Sequence, residues 1–148
     1  MKRKSLMIIL ILLFLLSIFF LCFNNISLVE PETQGYYHLL KKSLRERGYY
    51  ARLLVVSTKR LKWQNYLLVK FNNASSTSRH MKSQAIDFIV FDINDDGQSN
   101  SEDVKIVYDI LDKEIIRNKG GIGRYLKDNN FFNRQMIHID GRGFHARW

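Results

Sequence analysis

An apolar run near the N-terminus constrains this chain more than any other feature. It extends from Leu6 to Phe23, is broken only by Ser17, and follows the basic residues Lys2-Arg3-Lys4. A helix of about 18 residues spans roughly 27 Å, close to the ~30 Å hydrocarbon core of a bilayer. Basic flanks remain on the cytoplasmic side, so the rest of the chain is predicted to lie outside the cytoplasm.

Two fates of this leader fit the sequence, an uncleaved membrane anchor and a cleaved secretory signal. No small-x-small cleavage site precedes Asn24, and the bulky Phe20 and Leu21 before Cys22 disfavour lipoprotein processing. We favour the anchor. The predicted organisation is an anchor or signal over residues 1–25, a linker over 26–35, and one globular domain over 36–148.

The composition excludes some sites and partners. Cys22 is the chain's one cysteine, so the domain can form neither an intramolecular disulfide nor a cysteine-ligated metal site. The net charge is +9, and basic residues are concentrated between Lys41 and Lys70. Such a surface attracts polyanions. For a domain outside the cytoplasm, we expect anionic envelope polymer or lipid headgroups and no nucleic acid; a solvated basic face is the alternative.

Hydrophobic periodicity predicts an α+β fold with a small antiparallel sheet and flanking helices. The helix that follows residue 100 is expected to be capped by Ser101 or Asp103. A glycine turn is expected to lead into a short strand near Tyr125. The other predicted elements are strands at 52–57, 85–91 and 135–140, and helices at 36–47 and at 59–71, the latter with Leu61, Trp63, Leu67 and Leu68 available to the core.

Three residues from distant stretches can together bind one metal ion. His80 ends a polar loop, Asp87 follows seven residues later inside a predicted strand, and His138 lies in another strand. Two His and one carboxylate with an open fourth position are typical of a catalytic zinc site. On spacing alone, scattered residues with structural roles are the alternative.

The same residues resemble a known family. Ser78-x-His80, Ala85-x-Asp87 and the late His138 are similar to the Ser-x-His-x-x-Gly-x-Ala-x-Asp…His pattern of zinc D-Ala-D-Ala carboxypeptidases and dipeptidases. These enzymes are related to lysostaphin-type peptidases and to the hedgehog signalling domain. The resemblance implies a fold of that type in which His80, Asp87 and His138 hold Zn²⁺.

Further stretches extend the resemblance over residues 36–148. Gly120-Gly-Ile-Gly-x-Tyr125, His138-x-Asp140 and the terminal Arg147-Trp148 resemble the small carboxypeptidase-like branch of the family. Ser57-Thr-Lys-Arg60 is more loosely similar to a segment that helps bind substrate. The resemblance implies that Arg60 or Arg79 binds a substrate carboxylate; a solvated or salt-bridged role is the alternative for both.

The sequence departs from the family at two positions. The family's general base is an acidic residue three positions before the last ligand, and Gln135 stands there. Asp140 shares a strand face with His138 and is the predicted catalytic substitute, with a carboxylate that orients the ligand or caps a turn as the alternative. Ser83 replaces the family glycine. If this position requires a positive φ, serine is strained there.

A second metal site is predicted in the loop at residues 92–103, between Asp87 and His138. It follows the template of an EF-hand-like or dockerin-like calcium loop, with Gly97 at the sharp turn. An acidic surface turn is the alternative. The predicted ligands of a structural Ca²⁺ are Asp92, Asn94, Asp96, Gln98, Asn100 and Asp103.

Together these features predict a zinc metallopeptidase, a carboxypeptidase or endopeptidase that acts on peptidoglycan peptides. It would reside in the bacterial cell envelope, held to the membrane by its N-terminal helix or secreted if the leader is cleaved. The alternative is a zinc- and calcium-binding interaction module of the same fold that has lost catalysis, which Gln135 favours.

Overall fold

The computed structural model describes residues 6–14, 24–72, 74–126 and 135–148. Residues 6–14 are helical, with exposed apolar side chains. The remainder of the predicted membrane segment, at 15–23, lies outside the described residues. Among the residues that are described, no helix is both long enough and apolar enough to cross a membrane.

Five strands form one sheet. They are β1 (Leu53–Ser57), β2 (Ala85–Val90), β3 (Gly121–Tyr125), β4 (Met136–Asp140) and β5 (Ala146–Arg147). Their order across the sheet is β1-β2-β4-β3-β5. The four longer strands pair antiparallel to their neighbours, whereas β5 runs parallel to β3.

The α+β prediction is therefore confirmed, but the prediction of a wholly antiparallel sheet is wrong. The reason lies in the short connection between β4 and β5. This connection reverses the chain after β4, whose two edges are already paired with β2 and β3. The returning strand pairs with the outer edge of β3, one strand away from β4, and it then runs in the same direction as β3.

From residue 24 onward, the described residues form three α-helices beside the sheet: α1 (Pro31–Glu46), α2 (Lys62–Asn72) and α3 (Ser101–Ile110), the last continuing into a π-helical turn at Leu111–Ile115. Helix α1 begins five residues earlier than predicted, because Pro31 is pre-set for the first helical position. The buried side chain of Val29 and a 3₁₀ turn at Ile26–Leu28 precede it. The stretch 26–35, predicted as a linker, thus contributes to the domain.

The hydrophobic core lies between one face of the sheet and helices α1 and α3. Tyr37 of α1 meets Phe88 of β2 edge to face, with 5.5 Å between the ring centroids. The inward residues of the strands alternate with residues on the other face, as the period of two requires. The strands contribute Ile86, Phe88, Val90, Ile122, Ile137 and Ile139 to the core, and the helices contribute Leu40, Leu44, Val104 and Val107.

Helix α2 lies outside this core, contrary to the prediction for Leu61, Trp63 and Leu67. All three side chains are exposed, and Leu68 is half-buried. No described α2 side chain belongs to the core cluster. Helical spacing alone does not say which surface an apolar stripe covers, and here α1 and α3 already occupy the apolar face of the sheet.

Candidate metal centre

Two of the three predicted metal ligands lie side by side on the polar face of the sheet. Asp87 of β2 and His138 of β4 are directly opposite each other in the antiparallel ladder. Each stands between core residues, so the alternation of the strand directs its side chain away from the core. His138 Nδ1 lies 2.7 Å from Asp87 Oδ1. The register of the two strands therefore assembles this part of the site.

His80 reaches the same point from a 3₁₀ turn, Arg79–Lys82, that precedes β2. The turn ends at Ser83, whose φ of 59° lies in the left-handed region. For a residue with a Cβ, this conformation costs about 1 kcal/mol. The backbone strain predicted for serine at this position is therefore present. It occurs at the end of the turn that brings His80 to the metal group.

The tautomer of His80 is fixed by the backbone. The ring is 2% exposed, and its Nδ1 lies 2.5 Å from the carbonyl oxygen of Thr58. Because a carbonyl oxygen only accepts hydrogen bonds, Nδ1 carries the proton and Nε2 keeps its lone pair. A hydrogen bond from the other ring nitrogen to a carbonyl is the usual way to orient a metal-binding His.

The three side chains converge on one point. One ligand atom from each of His80, Asp87 and His138 lies within 4.8 Å of the other two, and all three residues are buried. His80 Nε2 is 3.0 Å from Asp87 Oδ2, yet this buried nitrogen has no hydrogen-bond partner. With the proton on Nδ1, the lone pair of Nε2 faces a carboxylate oxygen, an arrangement that a bound cation would stabilise. The group can therefore hold a metal ion, and its two nitrogens and one oxygen suit zinc among others.

The electrostatics of the group also favour a cation. Burial alone would raise the pKa of Asp87, but positive charge at the two histidines holds it well below its usual range, so the carboxylate stays ionised wherever a cation is present beside it. Burial alone would lower the pKa of His138, whereas the charge of Asp87 and the hydrogen bond with Asp140 raise it to about 9. Two carboxylates thus stabilise positive charge at His138, and a metal ion bound at Nδ1 would satisfy the same requirement.

Asp140, the predicted catalytic residue, is engaged on both of its oxygens. The side chain is fully buried. Its Oδ2 lies 3.0 Å from His138 Nε2 and 2.6 Å from Arg142 Nη2, and its Oδ1 accepts from the backbone and side chain of Arg142. This arrangement orients the His138 ring and leaves Nδ1 as the ligand atom. It favours the positioning role that the sequence left as the alternative.

The residue at the family's base position faces elsewhere. Gln135 has a φ of 55°, and its Oε1 accepts a hydrogen bond of 2.8 Å from the Ser99 hydroxyl. The side chain is thereby tied to the loop after β2. Neither Gln135 nor its neighbour Met136 supplies a carboxylate to the metal group.

The two arginines predicted to bind substrate differ in position. Arg60 lies 3.5 Å from Asp87 Oδ2, with its side chain 14% exposed. Its guanidinium also contacts Asn65 Oδ1, and Asn65 lines a cavity of about 390 Å³ beside α2. Arg79 instead donates a hydrogen bond of 3.2 Å to Gln84. The structure therefore brings Arg60 to the metal group, and Arg79 is bound outside it.

The C-terminal Trp148 borders the metal group, a role that the sequence did not assign to it. The Trp148 ring lies 5.3 Å from the His138 ring, and its Nε1 donates to the Tyr125 hydroxyl. A Cβ at Gly123 would come within 2.6 Å of that indole nitrogen, and one at Gly121 within 2.5 Å of Asp140 Oδ2. Alternate glycines on a short strand are the signal that predicts such a close approach.

The loop at 92–103 has the backbone turns of a calcium loop. Gly97, with a φ of 80°, donates its N–H to Asp92 Oδ2 at 3.1 Å. Asn94 and Asp96 accept from backbone N–H groups two residues further along the chain. Loop positions one, three and five thus present their side chains inward, as the template requires.

The residues at the end of the loop stabilise the fold through hydrogen bonds to the backbone. Asp103 is fully buried, with Oδ1 accepting from Ile93 N–H and Oδ2 from Asn100 N–H, both at 2.9 Å. Asn100 is the N-cap of α3 and forms a capping box with Asp103, so neither Ser101 nor Asp103 is the cap. Within the described part of the chain, His80, Asp87 and His138 are the one group of three His, Cys, Asp or Glu close enough for a metal ion. Calcium binding stays a prediction.

A scan of the chain against protein-family models found no match, and a search of curated proteins found none either. The resemblance to zinc D-Ala-D-Ala carboxypeptidases therefore stays a prediction carried by the motif residues alone. The metal group itself does not depend on that resemblance, because it follows from the positions of three side chains.

Proposed function

We propose that this protein is a zinc-dependent peptidase that acts on peptidoglycan peptides outside the bacterial cytoplasm. One observation carries the proposal: the buried Nε2 of His80 has no hydrogen-bond partner and faces the carboxylate that also contacts His138. Residues with this order and spacing resemble the zinc D-Ala-D-Ala carboxypeptidases. His80 through Nε2, Asp87 through its carboxylate and His138 through Nδ1 would hold the ion.

A bound zinc ion would supply Lewis-acid chemistry, polarising a peptide carbonyl and activating water. The protein's own residues hold the ligands in position. The Thr58 carbonyl orients His80, and Asp140 orients His138 from the opposite side of that ring. Arg142 in turn binds both oxygens of Asp140, so the carboxylate cannot rotate away from the imidazole.

Arg60 is the residue that supports a carboxylate-bearing substrate. Its guanidinium lies at the edge of the metal group, and its neighbour Asn65 lines the cavity beside α2. A guanidinium offers several N–H donors in a plane, which suits the terminal carboxylate of a peptide. Lys62 adds a second positive charge to the lining of that cavity.

A second candidate function is a metal-binding envelope module without catalysis. The observation in its favour is the lack of a free carboxylate at the metal group among the described residues. Gln135 is bound to Ser99, and both oxygens of Asp140 are engaged by His138 and Arg142. A general base needs an oxygen within reach of the proton that it removes.

Purified muropeptides separate the two functions. Full-length protein, loaded to one zinc ion per chain, is incubated with them, and the products are followed by mass spectrometry. Under the peptidase proposal, wild type cleaves the peptides, whereas His138→Gln folds normally and neither binds zinc nor cleaves. His145→Gln, at an exposed His, is the matched control and keeps both properties. Intact muropeptides with stoichiometric zinc in wild type would refute the peptidase and support the module.

Asp140→Asn then distinguishes the two roles of that carboxylate. If it positions His138, the variant loses about 10–100-fold in zinc affinity and recovers its activity at saturating zinc. If it acts as the base, activity stays lost when the site is fully loaded. The comparison requires metal content and cleavage to be measured on the same samples.

A further inference from the structure

Helix α2 presents an aromatic and basic face to solvent. Phe71 is 73% exposed, Tyr66 63% and Trp63 53%, and Leu67 lies beside them with 42% of its surface exposed. The spacing i, i+3, i+4 and i+8 places these four side chains on one side of the helix. Large apolar side chains clustered on an exposed surface mark a site of interaction.

The stretch of sequence that contains this helix carries charges of one sign. Between residues 47 and 86 the sequence contains no Asp or Glu, and eight basic residues occur there: Arg47, Arg52, Lys59, Arg60, Lys62, Lys70, Arg79 and Lys82. Arg47, Arg52 and Arg60 pair with carboxylates outside this stretch, whereas the four lysines are exposed. Lys62 and Lys70 belong to α2 itself and are exposed. An exposed helix face that combines aromatic side chains with lysines and carries no carboxylate of its own is complementary to an anionic apolar boundary.

We propose that α2 lies in the interface of an anionic lipid bilayer, with Trp63, Tyr66 and Phe71 among the headgroups. Trp and Tyr rings prefer this boundary because one part of each ring is apolar and the other is polar. Lysine stems can extend along the apolar surface while their ammonium groups contact lipid phosphates. The inner side of the helix keeps its contact with the domain through Asn65, which is 3% exposed and donates to the Ser75 carbonyl oxygen.

Docking of α2 would fix the orientation of the metal group relative to the membrane. Arg60 precedes α2 by two residues and contacts Asp87, while Asn65 contacts Arg60 from within the helix. The cavity lined by Tyr66 and Val69 would then lie close to the bilayer surface. This inference concerns the surface of the domain and holds whether or not the metal group is catalytic.

A local fluorescent probe tests the docking in the full chain. Cys22→Ser removes the one native cysteine, and Tyr66→Cys carries an NBD fluorophore. A matched probe at Glu102→Cys reports from an exposed position at the start of α3. Both proteins are reconstituted into vesicles of phosphatidylcholine alone or mixed with phosphatidylglycerol. A second probe at Phe71→Cys guards against a local effect of losing Tyr66.

With anionic vesicles, the probes at 66 and 71 should shift to the blue and be shielded from an aqueous quencher, while the probe at 102 should not. The double variant Lys62→Gln, Lys70→Gln should weaken docking by roughly 25-fold, about fivefold for each lysine. Equal quenching at 66 and 102 with anionic vesicles would overturn the proposal. Shielding that depends on protein concentration and not on lipid would overturn it in favour of a second copy of the chain.

Discussion

The metal group and the loop at 92–103 were both predicted from oxygen- and nitrogen-bearing residues at characteristic spacings, yet they differ in what holds them together. In the metal group, His80 Nε2 faces a carboxylate without a hydrogen bond. In the loop, the side chains of Asn94, Asp96 and Asp103 accept hydrogen bonds from nearby backbone N–H groups. A cation would satisfy the polar atoms of the metal group, whereas most polar atoms of the loop are already satisfied by the backbone.

The difference follows from sequence separation. Neighbouring Asp and Asn residues readily bond the backbone two or three positions away, so a contiguous acidic loop can satisfy itself. His80, Asp87 and His138 come from a 3₁₀ turn and two strands, and the sheet register brings them together. Burying a charge is costly unless the charge is paired. A buried cluster of ionisable side chains from distant parts of the chain therefore indicates a bound ligand more strongly than an exposed acidic turn does.

The largest expected effect is the loss of zinc from Asp87→Asn. This change keeps the shape of the side chain and removes the charge that contacts both imidazoles. Loss of a residue that only orients a metal ligand lowers metal affinity by up to roughly 100-fold. Because Asp87 is itself a proposed ligand, zinc affinity should fall by more than that. Competition with a chromophoric chelator measures it.

Asp92→Asn, the same chemical change in the loop, serves as the control and should keep its zinc. The distinction between the two regions would fail if Asp87→Asn bound zinc as tightly as wild type. It would also fail if both variants lost the metal together, because the loop would then contribute to the same site.

An intermediate effect on stability is expected from Asp103→Ala. The change removes the acceptor for the N–H groups of Ile93 and Asn100 and leaves the first of them buried and unsatisfied. The free energy of unfolding should fall by about 3 kcal/mol, or roughly 10 °C in Tm. Thermal unfolding measures the change in the absence of added calcium. Glu102→Ala, at the exposed neighbour, should leave Tm almost unchanged.

A much smaller loss for Asp103→Ala, appearing only when calcium is present, would contradict the reading of this residue as part of the fold. Asp103 would then serve mainly as the closing ligand of a cation. The loop and the metal group would then both depend on a metal ion.

The sequence was sufficient for the strands that carry the site. Met136–Asp140 alternates between apolar and polar residues from Ile137 onward, so the face that carries His138 was predictable. Ala85–Val90 is apolar except for Asp87, so the strand was predictable but its pairing with β4 was not. It was not sufficient for α2, whose apolar spacing suits a core helix and a surface helix equally. Only the positions of α1 and α3 show that the core has no place for it.

The role of Asp140 was underdetermined for a similar reason. Alternation placed Asp140 on the same face as His138. A carboxylate two positions away on a strand can serve either as a general base or as a hydrogen-bond partner of the imidazole ring. Arg142 decides between these roles by binding both oxygens of the carboxylate, through a tight turn after β4. The tilted contact of Trp148 with the His138 ring depends in the same way on the reversal into β5, which local patterns do not predict.

The smallest expected effect is the response of the loop to calcium, and it tests directly whether the loop is a cation site. Asp92 Oδ1 is buried without a hydrogen bond, so one oxygen of the loop remains available to a cation. Calcium loops of extracellular modules bind at about 10⁻⁴–10⁻³ M, so millimolar calcium should add roughly 1 kcal/mol to the stability. Tm should therefore rise by a few degrees in wild type and in Asp87→Asn, and remain constant in Asp92→Ala. If calcium does not change the Tm of wild type, the loop is a turn whose polar groups are satisfied by its own backbone. The metal group is then the one cation site of the two regions.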